Sequence, residues 1–286
     1  MQVTQIPATV VLAVLCAAMM HATWNALIRG APDKSLFTLL LHVCSALLAC
    51  VGLMVVGLPN WESWPFLLMS ALLHTVYIIC LMRAYEGGQL AVSYLLMRGL
   101  APLIVCVVST PLLGETPSLM AWFGIAFILL GVLTIASITG RSISEVIRHP
   151  SGKAALLNAI IIAAYTVVDG QGARVSQNPV GYVLTLALFE PLIILTHQLR
   201  RRHTVVLTYF KLHWRLGFLG AAVATSAYSI VLWAMTQAPI VVVAAMRESS
   251  VIFAVLIGSL WFKEGRLRVG LIAASSMAIG VALIKS

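Results

Sequence analysis

Charge is scarce in this sequence: of 286 residues only 9% are Asp, Glu, Lys or Arg, against roughly a quarter in soluble domains. Water is therefore not the main solvent of the chain, and there is almost no room for a soluble domain. Acidic residues are the scarcer kind, nine against eighteen Lys and Arg, which leaves a formal charge of +9. That excess is not a nucleic-acid footprint, because the basic residues fall in short gaps between apolar runs rather than along one amphipathic face. Cysteines number five (Cys16, Cys44, Cys50, Cys80, Cys106), all inside apolar runs and without paired or Cys/His spacing. They read as small hydrophobes rather than as disulfides or metal ligands. The sequence has no P-loop, no dinucleotide fingerprint and no zincin motif, which argues against a primary pump and leaves no cofactor to expect. No Ser or Cys stands beside a His and an acid within one segment, so an enzyme is not expected, although separate helices can still assemble a triad. The first apolar run lacks a basic leader, is too long for a signal core and has Leu15 ahead of Cys16, so it is expected to remain in the mature protein.

What the chain does have is long apolar runs, 61% hydrophobic residues overall. A helix needs about 20 mostly apolar residues to cross a hydrocarbon core of about 30 Å. Runs of that kind occupy residues 6–28, 35–57, 65–85, 90–113 and 119–139, then 154–174, 180–199, 216–237, 240–262 and 269–284. The expected fold is an all-α membrane protein of ten transmembrane helices. Turn residues separate the runs: Ala31-Pro32-Asp33, Leu58-Pro59-Asn60, Glu86-Gly87-Gly88, Gly114-Glu115-Thr116-Pro117, Asn178-Pro179 and Pro239. The boundary at Pro239 is the weakest of these. Small residues at helical spacing, Gly220 with Ala224 and Ser276 with Gly280, suit close helix approach.

The chain also repeats itself. Met97-Arg98 to Glu115 and Met246-Arg247 to Glu264 span equal lengths, and Gly131 and Gly280 follow each Glu at equal distance. Five crossings per half reverse the direction of the second half, so residues 1–140 and 141–286 are expected to form two inverted five-helix repeats, with a ligand site near the midplane between them. Fourteen of the eighteen Lys and Arg lie in odd-numbered gaps (Arg29, Lys34, Arg83, Arg141, Arg148, Lys153, Arg200, Arg201, Arg202, Lys211, Arg215, Lys263, Arg266, Arg268). The positive-inside rule puts those gaps in the cytoplasm and both termini in the periplasm of a bacterial inner membrane.

Five plus five short helices, with Gly-Glu at 114–115 or Lys-Glu at 263–264 before the fifth and tenth, resemble EamA-type transporters of the drug/metabolite transporter superfamily. The likeness covers nearly the whole chain. The segments His21-Ala22-Thr23-Trp24-Asn25-Ala26-Leu27, Ser93-Tyr94-Leu95-Leu96-Met97-Arg98-Gly99-Leu100-Ala101-Pro102, Tyr165-Thr166-Val167-Val168-Asp169-Gly170-Gln171-Gly172-Ala173-Arg174 and Arg247-Glu248-Ser249-Ser250-Val251 are similar to a phosphonate-utilisation-associated subgroup. That label names a context rather than a substrate. The family is usually drawn with both termini in the cytoplasm, opposite to the orientation the charge count gives here.

Ionisable side chains inside a bilayer cost at least about 2.5 kcal/mol on insertion scales, so each asks for a partner or a function. Arg98 and Arg247 lie roughly 6 Å on opposite sides of the midplane by helical rise. A guanidinium matches carboxylate or phosphate oxygens, so the pair suits an anionic or zwitterionic ligand, unless each only ties helices together through carbonyls, Asp169 or Glu248. Glu190, followed by Pro191 at a kink, is a candidate proton carrier or a structural partner of an Arg. Asp169, with Arg174 as its nearest partner in sequence, is a local pair or a gate. Trp24, Asn25, Tyr77, Tyr94, Tyr165 and Tyr228 offer stacking faces and polar groups to a cavity, or belong to an interfacial belt. His21, grouped with the gating residues, and His42 and His74 occupy separate helices without metal-ligand spacing, so no metal is expected. The sequence points to a secondary transporter or exporter of a small anionic or zwitterionic metabolite, amino-acid-like or phosphonate-like, working by alternating access. Its partners are the substrate, the lipid bilayer and protons, with no nucleic acid, and its state is monomer or homodimer. The rival classes are a membrane-embedded enzyme acting on lipid-linked substrates and a non-transporting sensor.

Overall fold

The computed structural model describes residues 6–86, 90–115, 118–137, 150–261 and 267–285, and every regular element in them is a helix. Backbone N–H and C=O groups in hydrocarbon have to be satisfied internally, and apolar runs punctuated by turn residues achieve this as helices. The first half contributes α1 (Ala8–Gly30), α2 (Lys34–Val56), a short 3-10 turn (Trp61–Ser63) running into α3 (Trp64–Glu86), α4 (Leu90–Leu113) and α5 (Leu119–Ser137). The second contributes α6 (Pro150–Val175), α7 (Pro179–Phe189), α8 (Leu192–Gln237), α9 (Ile240–Arg247), α10 (Ser250–Trp261) and α11 (Leu267–Lys285). Among the described residues six stretches are long and apolar enough to cross a membrane. Four shorter apolar helices accompany them: Leu100–Ser109, Leu119–Gly131, Pro179–Phe189 and Leu271–Ile284. Residues 116–117 and 262–266, which hold Thr116, Pro117 and Glu264 of the turn and repeat patterns, lie outside the described residues.

Turn chemistry fixes which ends share a face. Asp33 accepts a hydrogen bond from the Leu36 N–H at 2.9 Å and so caps α2. Asn178 caps α7 by accepting from the Gly181 N–H at 2.9 Å, while its amide donates to the carbonyls of Val56 and Gly57 at 2.9 and 3.2 Å. Gly57 adopts φ +78°, the left-handed conformation that ends α2 at no side-chain cost. The α2–α3 turn therefore sits beside the α6–α7 turn on what we call face one. On the opposite face two, the Tyr209 hydroxyl donates to the Asp33 carbonyl at 3.2 Å and ties α8 to the α1–α2 turn.

Two boundaries differ from the sequence expectation. The stretch 200–215, expected as a polar gap, is helical, and a kink at Arg202 (φ −145°, ψ 43°) divides α8 into two helical runs. No Gly or Pro interrupts Arg200 to Arg215, and the segment buries Val206 with Tyr209 and Phe210 against Leu36 and Leu39 of α2, so charge alone does not unwind it. Span 240–262 is not continuous: helix α9 stops at Arg247 and α10 starts at Ser250. The intervening N–H groups of Glu248 and Ser249 reach back only three residues, to Ala245 and Met246 at 3.0 and 3.1 Å, and the Ser249 hydroxyl donates to the Met246 carbonyl at 2.7 Å. A serine hydroxyl competing for the backbone tightens the turn here. The expected kink at Glu190-Pro191 is present as the break between α7 and α8, and Pro239 does begin a new helix.

The tightest helix contact joins α5 and α11. A side chain built at Gly124 would stand 2.5 Å from the Gly280 carbonyl, and one at Gly280 would stand 2.5 Å from the Gly124 carbonyl. Gly131 faces the Ala273 carbonyl and Met277 in the same way, and Ser276 donates its hydroxyl to the Phe127 carbonyl at 2.7 Å. Backbone carbonyls of two packed helices have little freedom to retreat. Gly280→Ala is therefore expected to destabilise the protein by about 1 to 3 kcal/mol, the usual range for overpacking. Thermal unfolding in detergent, with Ser275→Ala on the exposed side of α11 as the control, checks this; equal melting temperatures for both variants would contradict the packing account.

Candidate functional site

A cavity of about 380 Å³ opens between α1, α2, α3, α6, α7, α8 and α9. Its lining runs from Ala17 and Tyr165 in the interior to Ile28, Lys34 and Ser35, so it reaches toward face two. Of the residues expected to line it, His21, Trp24, Asn25, Tyr77, Tyr165, Tyr228, Glu190 and Arg247 do so. The side chains of Tyr94 and Arg98 lie outside the described residues. Asp169 and Glu248 are buried, at 0% and 4% exposure, and are not among the lining residues.

Aromatic groups shape one wall. His21 meets Trp24 edge-on at 4.9 Å, and the Asn25 amide donates to the His21 carbonyl at 2.8 Å within α1. On the facing side, Tyr77 stands edge-on to Tyr165 at 5.7 Å, and His74 stacks on Tyr165 at 4.3 Å. Rings in contact lose few rotamers on binding, which makes this wall a preorganised surface for a small ligand.

The buried charged groups of the wall differ in whether the protein meets them. Glu190, at the α7–α8 break, sits with Oε2 3.0 Å from Nδ1 of His42 on α2 and Oε1 3.8 Å from Nε2 of His74 on α3. Sequence reasoning considered these histidines only as metal ligands; the better signal was that a carboxyl inside a bilayer must find donors on neighbouring helices. Arg247 has no such partner. It ends α9 at 8% exposure, lines the cavity, and among the described residues its guanidinium has neither a carboxylate nor a hydrogen-bond acceptor. Its place at a helix C-terminus supplies only the partial negative charge of the last carbonyls.

Of the two readings of Asp169, a local pair with Arg174 or a gate, the pair is not formed. Asp169 accepts hydrogen bonds from the hydroxyls of Tyr182, at 3.0 Å, and Tyr228. Five residues further along α6, past more than one helical turn, Arg174 points to face one instead. There its guanidinium donates to Glu115 Oε1 at 2.7 Å, to the Met235 carbonyl at 2.8 Å and to the Ala238 carbonyl at 3.0 Å. Glu115 in turn accepts from the N–H groups of Ile240 and Val241 at 2.9 and 3.3 Å. A carboxylate on the first N–H groups of α9 is the arrangement a helix N-terminus favours. One buried acid thus binds the α4–α5 turn, the end of α6 and the α8–α9 junction together and closes face one.

These features define a multi-pass helical membrane protein whose cavity, largely apolar with a few polar and charged groups, reaches toward one face while the Glu115 cluster ties the other together. Residues 8–137 match the family model described as the EamA-like transporter family, a match that ends with the last residue of α5. The first half of the chain is thus similar to a family of membrane transporters. The fold is similar to a solved structure titled only "Crystal structure of protein", with a TM-score of 0.75, 18% identity, and coverage of 96% of this chain and 97% of the other. No curated protein matches.

Removing the charge from the face-one cluster has a defined cost. Arg174→Gln leaves Glu115 with backbone donors only and the Met235 and Ala238 carbonyls without their guanidinium. A loss of about 1.5 to 3 kcal/mol is expected, the range for a charge-assisted hydrogen bond. Denaturation in detergent of the single and double variants with Glu115→Gln should show non-additivity; strict additivity would mean the two side chains act separately.

Proposed function

We propose that the chain is a secondary transporter or exporter of a small anionic or zwitterionic metabolite, amino-acid-like or phosphonate-like, moving it by alternating access between two inverted five-helix repeats, residues 1–140 and 141–286. The observation that carries the substrate class is Arg247, buried, cationic and without a carboxylate among the described residues, on the wall of a cavity of about 380 Å³. That volume lies at the small end of about 300 to 1,000 Å³ typical of small-molecule sites. A desolvated guanidinium is costly unless an anion meets it, and a ligand carboxylate or phosphonate fits its fork. Arg98, which the sequence repeat pairs with Arg247, is proposed as its counterpart, with Trp24, Asn25, Tyr77, Tyr94, Tyr165 and Tyr228 as the neutral part of the site. Glu190, Asp169, Glu248 and His21 are proposed to couple or gate.

The repeat reading draws support from the α5–α11 contact. The displacement along the chain that carries Arg98 onto Arg247 also carries Gly124 onto Ala273 and Gly131 onto Gly280. The close approach of Gly124 to Gly280 and that of Gly131 to Ala273 are exchanged by it, and Phe127 and Ser276 exchange with each other. A two-fold axis between the halves produces such reciprocal contacts.

A thermal-shift screen of amino acids, phosphonates and dicarboxylates on purified protein, followed by flux in proteoliposomes without chemical change of the substrate, tests the assignment. Arg247→Gln is expected to weaken the binding of an anionic hit by about 1.5 to 3 kcal/mol, with Lys an imperfect replacement for want of the planar fork. Unaltered affinity and flux in a folded Arg247→Gln variant would refute the site.

The fourteen basic residues of the odd gaps lead us to propose that face two is cytoplasmic and both termini periplasmic. A carboxy-terminal alkaline phosphatase fusion is then active and the matching green fluorescent protein fusion dark. The reverse pattern would invert the assignment and turn the cavity mouth outward.

A further inference from the structure

We propose that His74 and Glu190 together form a proton-binding site on the cavity wall, a reading that rests on the transporter assignment only for its consequence in coupling. His74 Nδ1 lies 3.1 Å from the Ser70 carbonyl oxygen, which can only accept a hydrogen bond, so this nitrogen carries the ring hydrogen. The Ser70 hydroxyl, 3.0 Å from the same nitrogen, supports that placement by accepting as well. In a neutral ring the other nitrogen, Nε2, is then a bare lone pair, and it faces Glu190 Oε1 at 3.8 Å. An ionised carboxylate also only accepts. Two groups that both only accept, 3.8 Å apart and with side-chain exposures of 9% and 13%, leave a place for one proton between them.

The rest of the environment restricts where that proton goes. Glu190 Oε2 is occupied by His42 Nδ1 at 3.0 Å, which leaves Oε1 as the oxygen free to share it. Stacking on Tyr165 at 4.3 Å and edge contact with Tyr228 at 6.0 Å restrain the plane of the His74 ring. The titratable and charged groups lining the same cavity as the pair are His21 from α1, Lys34 and His42 from α2, Tyr77 from α3, Tyr165 from α6, Tyr228 from α8 and Arg247 from α9. Behind His74, the Ser70 hydroxyl also reaches the Asp169 carboxyl and the Tyr182 hydroxyl, so a second acid stands one serine away. The step itself is uptake of one proton from cavity water onto Nε2 or Oε1, with no other bond made or broken. Because Glu190 sits at the α7–α8 break and grips α2 and α3 through its two oxygens, the proton changes the attraction across three elements at a hinge.

The test uses the full-length protein in lipid nanodiscs, with the proton as the only probe. Nitrogen-15 histidine spectra and infrared carboxyl bands are followed over about pH 5 to 9, the range that brackets an ordinary imidazole. In the parent, one histidine should be the Nδ1–H tautomer whose Nε2 changes protonation in step with a carboxyl band. Glu190→Gln removes that band and moves the histidine step by about one pH unit or more, as expected for a charge within about 4 to 6 Å. His74→Gln identifies the resonance, and His42→Gln leaves the coupled step in place. A histidine step unmoved by Glu190→Gln, or a carboxylate that stays ionised beside a neutral His74 throughout, would overturn the proposal. If His74→Gln does not fold, the parent and Glu190→Gln alone decide it. Proteoliposome flux driven by a pH gradient is measured separately: absent flux with an intact coupled titration removes the transport reading and keeps the proton site.

Discussion

An ionisable group buried between helices in a bilayer has to find its partner inside the protein, and the interior of this molecule is arranged around that constraint. Hydrocarbon supplies neither hydrogen bonds nor counter-ions, so an unmet charge costs several kcal/mol. Glu115 is met by Arg174 and two backbone N–H groups, Asp169 by two tyrosine hydroxyls, and Glu190 by the His42 imidazole of α2. Each solution joins elements distant in sequence, so satisfying the acids also fixes how the helices pack. Arg247 has no such solution among the described residues, and it is on the cavity wall. The functional reading follows from that contrast: among the described residues Arg247 is a buried cation on the cavity wall that no carboxylate meets, and it is left for a ligand.

Interrupted helices put these groups where they are. At Glu190-Pro191 the proline lacks an N–H and ends the run of α7, and the carboxyl sits at the break, where both of its oxygens reach neighbouring helices. At Glu248-Ser249 the tightened turn makes Arg247 the last residue of a helix rather than a mid-helix side chain, so its positive charge lies over the negative end of α9. The N-terminus of that same eight-residue helix receives the Glu115 carboxylate. A short helix with an anion at its start and a cation at its finish suits its own dipole at both ends, and it links the sealed face to the cavity.

Much of this was legible in the sequence. Apolar runs and turn residues located nearly every helix, because hydrophobic length and Pro or Gly punctuation are local signals. The stretch 200–215 misled because its charges looked like a loop, whereas Val206, Tyr209 and Phe210 recur at helical spacing and find α2. The cavity residues were legible as polar side chains inside spans. Their partners were not: His42 and Glu190 are 148 positions apart, and Glu115 and Arg174 are 59 apart. Arg174 beside Asp169 on one helix was a reasonable local guess, but five residues turn a helix by well over one full turn, and the two side chains leave in different directions.

The sealed face also bears on how a cycle would run under the alternating-access reading. With the cavity reaching Lys34 and Ser35 at face two and the Glu115 cluster closing face one, the structure corresponds to one end state. Opening face one separates a charge-assisted bond, two bonds from guanidinium to carbonyl and two from backbone N–H to carboxylate. Even at about 1 kcal/mol net for each, the closed state is favoured by several kcal/mol unless the other end state forms comparable bonds elsewhere. The sequence repeat offers a candidate for them: the displacement that relates Arg98 to Arg247 also relates Glu115 to Glu264. Two acids that each cap a helix in only one end state would keep the two ends close in energy, which a substrate of modest affinity requires if it is to move the equilibrium at all.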